Sequence, residues 1–387
     1  MRELQSMLER RVADGTVAGA VALVERGGAT EVAAAGDLSR ESLVRIASIG
    51  KPMTAAAVLQ LVDDGVFGLD DPVEHWLPEL ADRQVVRTPQ SPVTDTVPAE
   101  RPITVRDLLE SRAGYGFPAD FSLPAVAPLA DELLQGPPQP QKVVPPDEWL
   151  AMLAHIPMLH QPGAAWLYNI CSDLQGVLVS RATGRPLDEA LAERLFEPLG
   201  MVDTGFSAPS GETGRLAPLY RPNPDGTLTV TDPPGGQWST RPAFPSGAGG
   251  LVSSLDDVLA FQRMLVTGGR ADDGRHVLSE GAVWQMTTNC LTERQRADSE
   301  LFLEGQGWGY GGSVDVERRE PWNVPGRYGW VGGTGTAAHL VPTTGLVTIL
   351  LTQRAMTNPS PPPLMREFWR YAAGGRASGP AGAPARR

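Results

Sequence analysis

The sequence predicts an α/β fold of the α+β kind: an antiparallel sheet built from both chain ends, flanked by helices, with a mostly helical insertion region between its halves. Three observations carry this expectation. Apolar runs of strand length, punctuated by glycine, lie at 17–36 and again from 305 to 352, whereas the patterns between them are mostly helical with polar caps. No repeat of roughly 20–50 residues is present, which sets solenoids and propellers aside. The expected division is a sheet domain from 1–75 and 245–372, a helical and loop-rich region over 76–244 lining the site, and a disordered Gly/Ala/Pro/Arg tail over 373–387.

The chain opens on an amphipathic helix, with Leu4, Met7, Leu8 and Val12 facing inward at helical spacing. Apolar runs at 17–26 and 30–36, parted by Gly27-Gly28, read as a hairpin. Residues 46–65 give an apolar approach, a polar elbow and an Ala/Leu-rich helix closed by Gly65. Residues 82–102 are polar and proline-containing, so they read as loop. Thr104 and Asp107 form the start signature of a helix, and the Pro/Gly/Ala-rich stretch 114–145 reads as a loop bordering the site. Helices follow at 147–154, from near Ser172, and at 187–195, the last ended by Pro198-Leu199-Gly200. Residues 203–247 are too rich in Gly and Pro for helix or strand and read as a substrate-lining wall. Ser254 and Ser279 each cap a further helix. Strands then occupy 308–314, 328–331, 337–341 and 345–352, the last long and apolar and therefore central, before a closing helix at 363–371.

Composition narrows the function. The 33 basic and 45 acidic residues leave a net charge of −12, which opposes nucleic acid and anionic membrane surfaces as partners. Cys171 and Cys290 are too few for a disulfide framework and lack metal-ligand spacing with the histidines, so both are expected as free, buried thiols. No signal peptide and no apolar run of about 18 residues is visible, and the expected location is the cytoplasm.

The chemistry gathers at Ser48-Ile49-Gly50-Lys51, a Ser-x-x-Lys pattern at a helix start. Positions i and i+3 share a helix face, which brings the Lys51 amine within reach of the Ser48 hydroxyl, beside unpaired backbone N–H groups that favour negative charge. That is a nucleophile with a base in reach. The plainer alternative is a capping serine beside a solvated lysine, but lysine occurs only at Lys51 and Lys142 in the chain, which argues against coincidence. Tyr168 lies in the connection before a helix and, taken alone, reads as a half-buried ring anchoring a loop.

With Ser48-x-x-Lys51, Tyr168-Asn169-Ile170 and Trp330-Val331-Gly332-Gly333 in this order, the chain resembles the serine β-lactamase and penicillin-binding-protein superfamily. The likeness is to its class C-like branch, with the family VIII carboxylesterases, and covers roughly residues 10–372. Supporting phrases are Asp70-Asp71-Pro72, Leu195 to Met201 and Gly249 to Ser254. The resemblance implies a β-lactamase/transpeptidase-like fold and an acyl-enzyme on Ser48, with Lys51 and Tyr168 sharing the proton work and the choice of base between them open. It also implies an oxyanion hole from the N–H groups of Ser48 and Gly333, with Gly332 and Trp330 on the edge strand beside the serine.

Two departures bear on substrate. Trp330 stands where the family's Lys-Thr-Gly has its cation, and Ile170 stands where Tyr-x-Asn has its amide, with Asn169 one place early. A pocket that trades a cation and an amide for apolar surface should prefer a neutral acyl ester or thioester over an anionic lactam. Trp166, Trp238 and Trp330 are candidates for lining that cleft. The expected activity is therefore a serine hydrolase, most simply a carboxylesterase, with no metal and no cofactor. The alternatives are an acyltransferase or amide hydrolase with the same nucleophile, a β-lactamase or DD-peptidase, and a binding protein with a degenerate site.

Overall fold

The computed structural model describes residues 2–374, so the tail expected over 373–387 lies almost wholly outside the described residues. Seven strands form one antiparallel sheet: β1 (Gly19–Arg26), β2 (Ala29–Gly36), β3 (Gly307–Trp308), β4 (Ser313–Val314), β5 (Tyr328–Gly332), β6 (Thr336–Val341) and β7 (Leu346–Thr352). Their spatial order is β2-β1-β7-β6-β5-β4-β3, so the two chain ends meet where β1 pairs with β7, with Leu23 opposite Ile349. Gly27 and Gly28 close the β1–β2 hairpin at φ +57° and +81°, the doubly positive pair of a two-residue turn that matches strand twist.

Side-chain alternation along these strands builds two cores. On one face, Val21, Leu23, Val347, Ile349 and Leu351 join the main core with α2 (Lys51–Asp63), α3 (Ile170–Thr183) and α4 (Leu255–Val266). On the other, Ala20, Ala22, Val24 and Leu350 pack on α1 (Arg2–Ala13) and α5 (Pro363–Ala372). Both faces being covered explains why 345–352 reads as a long, mostly apolar run with no polar alternation. β7 is interior to the sheet, as expected, although the middle position belongs to β6. Every residue of α2 from Lys51 to Leu61 is buried, so this helix is the axis of the fold.

Local polar signals worked where predicted. Thr104 and Asp107 close a reciprocal capping box on Val105–Leu109, and the Ser254 and Ser279 hydroxyls accept from the N–H groups of Asp257 and Ala282. Several expectations need correction. The loop over 82–102 contains a short ladder, Gln84–Val86 with Thr96–Pro98, and 203–247 contains a hairpin, Leu219–Pro222 with Leu228–Asp232. Three- to five-residue strands are too short to display a period. The single strand read over 308–314 is two, because the chain turns at Gly311 with φ +78°. Cys171 is buried but Cys290 is only half-buried, and both are free.

Asp257, in the first turn of α4, accepts from the Asp203 N–H and the Thr204 hydroxyl, both at 2.8 Å, and burial pushes its carboxyl up to about 6. Between about pH 4 and 6 the unfolded chain therefore releases a proton that the folded chain keeps, and stability falls as pH rises through that window. Asp257→Asn should flatten this dependence by about 2 kcal/mol after allowance for solvent screening, read from denaturant unfolding at pH 4, 5, 6 and 7. An unchanged pH profile would contradict the assignment. No helix among the described residues is long and apolar enough to cross a membrane.

Candidate active site

The approach to Ser48 is fixed before the serine itself. Arg45, on the two-residue strand Val44–Arg45, is fully buried; its guanidinium donates to the Asp232 carboxylate and to the Ala217 carbonyl, and its N–H donates to Gln353 Oε1 at 3.1 Å. Removing one partner of such a buried pair typically costs about 3–5 kcal/mol, so this clamp holds the chain firmly one turn before Ser48. Ala47 then takes φ +47°, a left-handed conformation unusual for a residue with a Cβ, and the chain enters a 3-10 turn, Ala47–Gly50, ahead of α2. The helix start expected at Ser48 is thus a tighter turn feeding the α-helix at Lys51.

Across this junction Lys51 Nζ stands 2.9 Å from Ser48 Oγ. The amine also donates to the Ala248 carbonyl, and with the residue only 1% exposed it has little water to compete for it. Ser48 is half-buried, which leaves its hydroxyl reachable.

β5 delivers the second wall. It is the fifth of seven strands and not the sheet edge, as the resemblance implied. Only Tyr328 and Gly329 pair with β4, however, so Trp330–Gly332 has no ladder partner on that side among the described residues. Thr336 Oγ1 donates to the Ile46 carbonyl at 2.8 Å and Thr334 Oγ1 to the Arg45 carbonyl at 2.6 Å, tying the β5–β6 turn to the turn that carries Ser48. A Cβ on Gly332 would stand 2.2 Å from Thr336 Oγ1 and 2.6 Å from Ile46 O, so only glycine lets the two segments meet. Gly333, next along, is exposed with open space where a Cβ would be, and its carbonyl accepts from the Met356 N–H at 2.7 Å.

Tyr168 comes beside the pair, with its ring centroid 4.8 Å from Lys51 Nζ. Its hydroxyl accepts from the Trp330 indole N–H at 2.9 Å. The amine therefore faces the ring, while the phenol oxygen is held by the residue that replaces the family's cation. Tyr168 also packs against Phe302, centroids 4.9 Å apart, and Trp330 against Trp308 at 4.8 Å, making an aromatic wall. Phe302 and Trp308 were not singled out in the sequence, because aromatic residues on short elements carry no periodic signal.

Three expected site residues are placed differently. Ile170 is wholly buried in the main core and has no surface for a substrate. Asn169, at φ +87°, turns its amide to Gln135 Oε1 at 2.7 Å. Trp238 sits in a separate cluster with Leu43 and Val252, its indole donating to the Gly250 carbonyl, so only Trp166 and Trp330 join the aromatic wall. Each side chain was captured by a neighbour that sequence separation hides.

The buried carboxylate of Asp173 went unnoticed. It lies in the first turn of α3, 2% exposed, and accepts from Ser246 Oγ, Ala248 N–H and Gln135 Nε2. Burial raises its pKa, while these donors and the charge of Lys51 pull it back down. In the sequence an acid at that place reads merely as favourable to a helix N-terminus.

A family model described as Beta-lactamase matches residues 4–367 of the chain. The chain belongs to the beta-lactamase family. Among relatives, protein Rv1367c of Mycobacterium tuberculosis is 38% identical over 329 residues, 82% of this chain and 78% of that one. Esterase EstB of Burkholderia gladioli is 30% identical over 388 residues, 93% of this chain and 92% of its own. Among solved structures, EstCE1, described as a hydrolase with promiscuous acyltransferase activity, shares the fold with a TM-score of 0.77 at 23% identity, covering 97% of this chain and 98% of that one. This beta-lactamase-family chain is accordingly a serine hydrolase of the superfamily with esterase and acyltransferase relatives.

Proposed function

We propose that the protein is a carboxylesterase acting on neutral acyl esters through an acyl-enzyme on Ser48. The observation that carries this reading is the 2.9 Å contact between Lys51 Nζ and Ser48 Oγ in a nearly dry setting, a nucleophile and base already in register. In this reading the Ser48 oxygen attacks the ester carbonyl as its proton passes to Lys51 or Tyr168. The oxyanion is taken up by the N–H groups of Ser48 and Gly333, and the proton returns to the departing alcohol. Water then repeats the attack and frees the acid.

The substrate preference follows from Trp330. A neutral indole N–H on the Tyr168 hydroxyl supplies a hydrogen bond without the positive charge that an anionic substrate needs, and the buried Trp166, Phe302 and Trp308 back it with apolar packing. Transfer of the acyl group to an alcohol in place of water is the second reading, favoured by the acyltransferase relatives.

The test is turnover of a p-nitrophenyl ester series from acetate to octanoate, with intact-mass detection of the acyl adduct and product analysis under competing alcohols. The expected result is a Ser48 adduct and slow or no turnover of cephalosporins. Brisk cephalosporin hydrolysis, or ester turnover with no adduct, would refute the proposal, and ester products with added alcohol would favour transfer.

A further inference from the structure

We propose that Asp173 is a positioning residue for the Ser48–Lys51 pair: its buried carboxylate joins three segments of chain and fixes the carbonyl on which the Lys51 amine rests. The inference depends on Ser48 being the nucleophile and names the device that orients its partner.

The connections are short and complete. Asp173 Oδ1 accepts from Ser246 Oγ at 2.7 Å and from the Ala248 N–H at 3.0 Å, and Oδ2 accepts from Gln135 Nε2 at 2.8 Å. Ala248, pinned through its N–H, presents its own carbonyl to Lys51 Nζ. Lysine carries about 2 kcal/mol of rotamer entropy, and an amine held between that carbonyl and Ser48 Oγ has lost most of it before substrate arrives. Gln135 in turn accepts from Asn169 Nδ2, and this bridge is flanked by two non-glycine residues in the left-handed region, Leu134 at φ +53° and Asn169 at φ +87°. Conformations of this kind cost on the order of 1 kcal/mol each and persist only where surrounding contacts enforce them.

A purely structural role accounts poorly for the charge. Burying a carboxylate costs several kcal/mol, and Asp173 forms no ion pair within salt-bridge distance among the described residues. Neutral donors satisfy its oxygens, while the Lys51 amine sits close enough for its charge to act on the carboxyl. Around that amine, Tyr168 and Asp173 are the titratable groups that the neighbouring elements contribute. Loss of the Asp173 charge therefore changes the electrostatic surroundings of the amine as well as its position.

The test follows the pH dependence of covalent labelling of Ser48 by a fluorophosphonate, which needs no knowledge of the natural substrate. Asp173→Asn should label about 10- to 100-fold more slowly than the native protein, with the midpoint of the acid limb displaced. Asp173→Glu, which keeps the charge and shifts its position, should slow labelling by about 10-fold or more with the midpoint unmoved. It also serves if Asp173→Asn does not fold. Labelling by either folded variant at the native rate would overturn the positioning role, as would an Asp173→Asn profile unmoved in pH. A native protein that hydrolyses esters but never labels at Ser48 would overturn the reading of the nucleophile, and this inference with it.

Discussion

Ser48→Ala should lower ester turnover by about 10⁴-fold or more while leaving the protein folded, because the hydroxyl removed is the proposed nucleophile and has few structural duties. Its hydrogen-bond partner Lys51 keeps the Ala248 carbonyl, and the turn around it is held by Arg45, Thr334 and Thr336. The thermal midpoint should therefore stay within a few degrees of native. The measurement is kcat/KM on p-nitrophenyl butyrate with a melting curve for each protein. A folded Ser48→Ala variant with native turnover would remove the acyl-enzyme from consideration altogether.

The second large effect is expected at Trp330. Trp330→Phe keeps a ring to pack at right angles on Trp308 but deletes the indole N–H that meets the Tyr168 hydroxyl at 2.9 Å. A hydrogen bond to a group carrying developing charge is worth about 1.5–3 kcal/mol, so kcat should fall by about 10- to 100-fold, with KM little changed because the apolar wall remains. The split between kcat and KM is the informative readout. An unchanged kcat would mean that the phenol takes no part in moving the proton. A raised KM alone would make Trp330 a binding surface and nothing more.

Much of this was written in local patterns. The Gly27-Gly28 hairpin, the capped starts at Thr104, Ser254 and Ser279, and the apolar strand ending at Thr352 depend on neighbours within a few residues, and each appears in the structure where its pattern placed it. The three-residue spacing of Ser48 and Lys51 likewise fixes their shared face, through a 3-10 turn as well as through an α-helix. The family likeness, too, lay in three short motifs and their order.

What the sequence by itself determined, then, is the longer helices and strands and the serine–lysine pair, because backbone geometry within one turn is a short-range property. Only the tertiary structure decided where side chains without such a local constraint would go. It sent Asn169 to Gln135, sank Ile170 into the core, carried Trp238 to a separate cluster, and set the Trp330 indole on the Tyr168 hydroxyl across 162 residues of chain. Above all it brought Gln135 and Ser246 onto Asp173, beside the Ala248 that holds the Lys51 amine. A buried polar group takes whichever partner the packing places within about 3 Å, and that partner is set by how helices and loops distant in sequence close on one another.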